Sequence, residues 1–276
     1  MPDGKADAGG GDSRAPDPIA DATLLADTVR HAGALALSMF RTEFRTWTKG
    51  ASSPVSEADI AVNDLIQARL RTARPDYGWL SEESAEDSVR LGKRLVWIID
   101  PIDGTRGYIA GKEDWCVSAA LVDGASPLIA AVFAPATDEF FFAARGQGAA
   151  CNGRPIRATP GTDLDFSRVA GPKPLVERLA RTTQDVVLHP RIGSLAMRLC
   201  RVADARIDAA FAGGQSCDWD LAAADLIVHE AGGTMTQLAG DAILYNRPEV
   251  THGVLVAAGR DRHAHIVGHF RNQPPA

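Results

Sequence analysis

Leu95-Val96-Trp97-Ile98-Ile99-Asp100-Pro101-Ile102-Asp103-Gly104-Thr105 is the stretch on which the reading of this chain turns. Its first five residues are apolar and β-prone, the composition of a strand buried on both faces. The strand runs into two carboxylates three residues apart, then a glycine and a hydroxyl. Two anions at the end of a buried strand repel each other and cost desolvation free energy unless a cation lies between them. Hard oxygen ligands of this kind suit Mg2+, which keeps waters and accepts substrate oxygens in its shell. Gly104 lets the backbone approach an anion, and the amides that follow are placed to cradle a phosphate. Taken alone, the stretch also reads as an Asp-Pro turn followed by an Asp-Gly turn.

Upstream, apolar residues recur at helical spacing from Ile19 to about Thr46 (Leu24, Leu25, Val29, Leu35, Leu37, Met39, Phe40) and predict one long amphipathic helix. The polar stretch Lys49 to Pro54 breaks it. Ser56-Glu57-Ala58-Asp59 then reads as a capping box that opens a second helix, ended by Pro75. Downstream, Trp115–Val122, Leu128–Ala134 and Glu139–Ala143 predict an antiparallel sheet, with Asp123-Gly124 and Ala136–Asp138 as turns.

Beyond Pro160 the pattern changes. Strands are expected at Arg168–Ala170, Val186–Leu188 and Arg206–Phe211, with helices near Pro174–Arg181 and Ser194–Ala203. A helix from Trp219 to Glu230 stops at Ala231-Gly232-Gly233, where glycine takes the left-handed conformation of a helix end. Val254–Ala257 and His263–Phe270 are read as the last strand and helix. Residues 19–160 thus form an α+β half carrying the acidic motifs, and 161–276 an α/β half that completes a shared cleft. Residues 1–18 lack large apolar side chains and the apolar core of a signal peptide, and are expected to be a disordered tail.

Bulk properties set limits. The chain has 276 residues, 45% of them hydrophobic, enough for a full core. A formal net charge of −6 argues against nucleic acid as a partner, because no strong positive field gathers phosphates. A small phosphorylated substrate stays open, since a bound divalent cation inverts the local field. No run of 18 apolar residues occurs, so no membrane partner is expected. Cys116, Cys151, Cys200 and Cys217 have no CxxC spacing, which fits a reduced, cytoplasmic protein.

Two more acidic motifs stand beside apolar runs. Glu82-Glu83 follows Trp79-Leu80-Ser81, and Asp220 lies in Cys217-Asp218-Trp219-Asp220 at the start of an apolar helix. Alone, the first reads as a solvated loop and the second as an N-cap. Three such elements together point to one cation site.

The stretches Glu82-Glu83-Ser84, Asp100–Thr105, and Trp219-Asp220-Leu221-Ala222-Ala223 followed by Glu230-Ala231-Gly232-Gly233 resemble the inositol monophosphatase superfamily. The likeness runs in family order from about Ile19 to Arg260, and Gly193-Ser194 and Val202-Ala203…Asp208-Ala209 also match. It implies an α+β protein layered as an αβαβα sandwich, and a lithium-sensitive, Mg2+-dependent phosphomonoesterase that holds two or three ions and is a possible homodimer. Carried over by position, Glu82, Asp100, Asp103, Asp220 and the Ile102 carbonyl form the metal site, with Glu83 nearby. Glu82, Asp59 and Thr105 form the catalytic set, the last two orienting the attacking water. Asp103, Gly104, Thr105, Ser194, Gly213, Gln215, Asp220 and Arg247 face the substrate.

The segments Phe211–Asp218 and Tyr245-Asn246-Arg247-Pro248 are similar to bacterial bisphosphate nucleotidases, with Arg247 set to meet a second phosphate. The resemblance therefore favours 3′-phosphoadenosine 5′-phosphate. Gly213 stands where inositol monophosphatases carry an acid, although inositol 1-phosphate and histidinol phosphate remain alternatives. A haloacid-dehalogenase-type phosphatase would separate its two acids by one residue, not two, and would give the Glu-Glu pair no role. A catalytically idle binding protein is the reading from a different class, and loss of a metal carboxylate would favour it.

Overall fold

The computed structural model describes residues 17–49, 53–165, 167–181 and 185–272, so the tail expected over residues 1–16 lies outside it. Pro18, read as the last tail residue, is instead the first residue of helix α1 (Pro18–Met39). Proline at this position gives up no intrahelical bond, and Asp17 caps the Ala20 amide at 3.1 Å. The helix ends before the predicted Thr46. Arg41 turns into the left-handed region (φ 61°), its guanidinium donates to the Gly111 carbonyl, and Phe40 and Phe44 pack on Tyr108. Tertiary contacts override the helical spacing. Thr46–Lys49 (β1) and Ser53–Ser56 (β2) then pair antiparallel, so the expected break is built as a hairpin.

Helix α2 (Glu57–Ala73) opens as predicted, with the Ser56 amide donating to Asp59 Oδ2 at 2.8 Å. Strand β3 (Gly78–Ser81) runs parallel to β4 (Leu95–Asp103), and a short 3-10 helix, Ser88–Gly92, lies between them. After helix α3 (Thr105–Ile109) come β5 (Cys116–Asp123), β6 (Ser126–Ala134), β7 (Glu139–Ala144), β8 (Ala149–Cys151) and β9 (Arg154–Pro155). Among the described residues these form a seven-stranded sheet, β3 to β9 in chain order, antiparallel except at β3–β4. Every residue of β4 is buried because its alternating side chains enter two different cores. Trp97 and Ile99 pack under α1 and α2, while Val96 and Ile98 face the centre of the molecule.

The remaining elements are β10 (Arg168–Ala170), α4 (Lys173–Ala180), β11 (Val187–Leu188), α5 (Leu195–Ala203), β12 (Ala209–Ala212), β13 (Ser216–Cys217), α6 (Asp218–Glu230), β14 (Gly233–Gln237), β15 (Thr251–His252), β16 (Leu255–Gly259) and α7 (Arg260–Asn272). Among the described residues a second sheet runs β11-β10-β12-β16-β14. Its first three strands are parallel, but β16 is antiparallel to both neighbours, so the half read as α/β is mixed. The strand predicted from Arg206 begins only at Ala209, because Asp208 is drawn off to the Arg168 guanidinium and the Thr159 hydroxyl.

Helices α5 and α6 lie between the two sheets, with α1 and α2 outside the large sheet and α4 and α7 outside the small one. This is the expected αβαβα sandwich. Helix α6 touches both sheets, so Leu221 through Val228 are buried on every side and alanines fill three consecutive positions. Small side chains let both sheets close on the helix.

Candidate active site

The C-terminal end of β4 delivers Asp100 and Asp103, and an irregularity in its pairing with β5 falls between them. Asp100 is buried, and its Oδ1 has no hydrogen-bond partner among the described residues. Asp103 points at the start of α5, where it accepts the Ser194 hydroxyl at 2.7 Å and the Leu195 and Ala196 amides at 3.2 and 2.5 Å. An acid at a helix N-terminus satisfies amides that lack intrahelical partners. Asp220 enters from the first turn of α6, its Oδ2 accepting the Cys217 amide at 2.6 Å. One carboxylate oxygen each from Asp100, Asp103 and Asp220 lie within 4.8 Å of one another. Glu82 arrives beside them because its amide extends the β3–β4 pairing, donating to the Ile99 carbonyl at 3.2 Å.

The electrostatics of this group are those of a site short of positive charge. Burial, then the charges of Asp220 and Glu83, push the Glu82 carboxyl up to about 8. Burial and the charge of Asp103 push Asp220 up to about 7. Asp100 and Asp103 are raised as well, both chiefly by burial, Asp100 also by Glu82. Four crowded acids, one with an unpartnered buried oxygen, fit a hard divalent cation.

Asp59 and Thr105 meet as the resemblance implied. The Thr105 hydroxyl lies 3.1 Å from Asp59 Oδ1 and 3.0 Å from the Ile102 carbonyl, and burial raises the Asp59 carboxyl. Gly104 adopts φ 100° and opens α3. A Cβ there would stand 2.9 Å from the Asp114 carbonyl and 3.3 Å from the Ser194 amide, so only glycine fits.

The other expected substrate residues are scattered. Ser194 is fully buried, held between Asp103, the Met197 amide and Cys116 Sγ, and stands behind Asp103 rather than lining the cleft. Gly213 and Gln215 occupy the β12–β13 loop, where Gln215 takes φ 81° and donates its amide to the His252 carbonyl. Arg247 is exposed, and its carbonyl accepts from Arg90. Ser194 joins the carboxylate cluster through Asp103, and none of the described contacts joins Gly213, Gln215 or Arg247 to it.

Sequence reasoning missed Lys49 and Arg198. The Lys49 amine donates to the Glu82 carbonyl and lies 3.5 Å from Glu83 Oε2; its place in a polar stretch gave no signal. Arg198 donates to the Phe211 and Ile192 carbonyls, and its charge acts on Asp103. An arginine one turn after the helix-capping Ser194 was the available clue.

The model of the inositol monophosphatase family matches residues 20–274. The chain is 37% identical over 197 residues to a Nus factor SuhB from Xylella fastidiosa, covering 67% of this chain and 69% of the relative. It is 36% identical over 210 residues to a histidinol-phosphatase from Mycobacterium tuberculosis (72% and 79%). It is 31% identical over 226 residues to inositol monophosphatase 1 from Solanum lycopersicum (78% and 83%). Among solved structures, the SuhB protein of Bartonella henselae superposes with a TM-score of 0.80 at 27% identity, over 91% of this chain and 98% of that one. This chain belongs to the inositol monophosphatase family and is a phosphomonoesterase.

Proposed function

We propose that the chain hydrolyses a small phosphate monoester with Mg2+ held by Glu82, Asp100, Asp103, Asp220 and the Ile102 carbonyl. The observation that carries this reading is the convergence of Asp100, Asp103 and Asp220, one carboxylate oxygen of each lying within 4.8 Å of the others, where the buried Asp100 Oδ1 has no partner among the described residues. When bound, the divalent cation supplies Lewis-acid charge, easing attack by water and offsetting negative charge on the phosphate and the leaving oxygen. The chain's own residues do the rest by position. The Thr105 hydroxyl donates to Asp59, which leaves its lone pairs to accept from a water and orient it. Burial raises Asp59 and suits it to receive the proton that this water gives up. The amides of Gly104 and Thr105, at the start of α3, hold the phosphate oxygens. Glu83 and Lys49 fix the Glu82 segment.

The substrate reading favours 3′-phosphoadenosine 5′-phosphate, supported by Arg247 on an exposed loop as a partner for a second phosphate. A second reading, inositol 1-phosphate or histidinol phosphate, is supported by the names of the relatives at 31% and 36% identity. Two or three ions, lithium sensitivity, a homodimer and a cytoplasmic setting complete the proposal. No helix among the described residues is long and apolar enough to cross a membrane, and all four cysteines are free. The test is phosphate release from all three esters, with Mg2+, with EDTA, and with added Li+. Release from the bisphosphate that needs Mg2+ and falls with Li+ is the expected result. Turnover that survives EDTA would end the metal reading, and faster release from inositol 1-phosphate or histidinol phosphate would end the nucleotide one.

A further inference from the structure

Asp218 stands two residues before Asp220 on the same turn of α6, and the mechanism above gives it no task. It is fully buried and turned away from the carboxylate cluster. Its Oδ1 lies 2.7 Å from His252 Nε2 on β15, and its Oδ2 accepts the Asn246 amide at 2.8 Å. The Asn246 side chain continues the chain of contacts, its Oδ1 accepting Arg90 Nη1 at 2.7 Å while its Nδ2 lies 3.4 Å from the Arg90 carbonyl. Asn246 adopts φ 54°, a region asparagine tolerates better than most residues.

Arg90 is 1% exposed, in the short 3-10 helix between β3 and β4. Besides Asn246, its guanidinium donates to the Arg247 carbonyl at 3.1 Å and to Glu86 Oε1 at 2.9 Å. The bond to Glu86 folds the segment leading out of Glu82 back on itself. That helix also lies against the root of β3: a Cβ on Gly78 would stand 3.3 Å from Arg90 Cα. One end of the relay therefore rests on the strand and loop that present Glu82. The other rests on the helical turn that presents Asp220.

This placement matters because the cation ligands come from both parts of the chain. Asp100 and Asp103 belong to the large sheet, Glu82 directly follows its strand β3, and Asp220 belongs to the helix between the sheets. A site of this kind functions only when its ligands are held to within about 0.5 Å. The hydrogen bonds around Asp220 itself are local, from the Cys217 amide of its own helix cap, and cannot set its distance from Glu82. Arg90 and Asn246 are 156 residues apart in sequence and carry one buried link between the two parts, beside the Ser118 hydroxyl that lies 3.5 Å from the Trp219 carbonyl.

We infer that Arg90, Asn246, Asp218 and His252 are positioning residues that set the span between the Glu82 and Asp220 arms and thereby the affinity for the divalent cation. The inference rests on the metal reading above. Partners behind metal ligands typically contribute about 10–100-fold in metal affinity when removed. The test is Mn2+ binding to the full chain, followed by loss of the free-ion electron paramagnetic resonance signal, with thermal melting in EDTA alongside. His252→Ala and Asn246→Gly are each expected to weaken Mn2+ binding roughly 10-fold or more. His252→Gln, whose amide reaches the same Asp218 oxygen, is expected to restore most of it. Glu139→Gln, a destabilising change far from the relay, is expected to melt lower and bind Mn2+ as the wild type does. Wild-type affinity in both His252→Ala and Asn246→Gly overturns the inference and leaves the metal reading standing. Equal weakening in Glu139→Gln also overturns it, since general loss of stability then explains the effect. If the wild-type chain takes up no Mn2+, both readings fall.

Discussion

The two ends of α5 each hold a buried acidic group, and the fold balances them in opposite ways. At the N-terminal end, Asp103 meets backbone amides and the Ser194 hydroxyl, and the Arg198 guanidinium acts on it only through its charge, without a hydrogen bond among the described residues. There Glu82 is pushed up to about 8. At the C-terminal end, Glu139 of β7 meets Arg201 and Arg206, with Asp204 sharing both arginines. Burial works against the charge of Glu139 too, but hydrogen bonds from Arg201, Thr137 and Arg206 outweigh it and hold the carboxyl down at about 2. The same helix thus joins a cluster that carries its own counterions to one that must borrow them. The first fastens α5 to the large sheet, and the second has the chemistry to take a divalent cation.

The sharpest way to break this contrast is Asp100→Asn. Turnover is expected to fall by at least about 100-fold, while the melting temperature in EDTA stays level or rises because one repelling charge has gone. A lower melting temperature in EDTA would mean that Asp100 is structural. The mirror experiment is Glu139→Gln, expected to cost about 3 kcal/mol in urea denaturation, because the buried Arg201 loses a charged partner, with turnover per folded molecule unchanged. Loss of turnover without loss of stability would reverse the roles of the two clusters.

Acidity separates them more finely. Glu139 has a folded value of about 2 against an ordinary 4.5, so its contribution is complete above the ordinary value and is lost as pH falls toward 2. Glu82 and Asp220 are raised to about 8 and about 7 from 4.5 and 3.8, so the folded state holds protons that the unfolded state has released. Stability without metal is therefore expected to fall as pH rises from the ordinary carboxylate range through about 8. Saturating Mg2+ should flatten that slope, and calorimetry across the range with and without the ion checks it. The smallest effect belongs to an exposed pair. Arg94→Ala, which removes the surface partner of Asp123, should leave the midpoint of the same urea titration essentially unchanged.

The acids were legible in the sequence because chemical type and local setting coincide there. A strand as apolar as Leu95–Ile99 announces its burial, and the carboxylates at its end then stand out. Strand β3 was not legible, since Gly78-Trp79-Leu80-Ser81 is too short to show a period and pairs through contacts with β4. The β1–β2 hairpin is composed mainly of Thr, Ser and Lys around Trp47, and no apolar alternation marked it. The capping Ser56 and the stop at Gly232 were readable because helix ends depend on nearby residues. Arg90 and Asn246 were not, because nothing in either neighbourhood refers to the other. The position of Ser194 was misjudged for a similar reason: its local role as a cap was visible, but its burial behind Asp103 was not.

The alanines of α6 have a consequence for anyone seeking to change what this protein accepts. Ala222, Ala223 and Ala224 are pressed between two sheets, so a larger side chain would have to pry the layers apart and carry Asp220 with them. Libraries aimed at new specificity should leave that helix fixed and vary the loops at 213–215 and 247–249, where Gln215, Arg247 and Glu249 are exposed and have room to change. Evolution within this scaffold has the same freedom: the leaving group can be renegotiated at the rim while the ion-holding centre stays as it is.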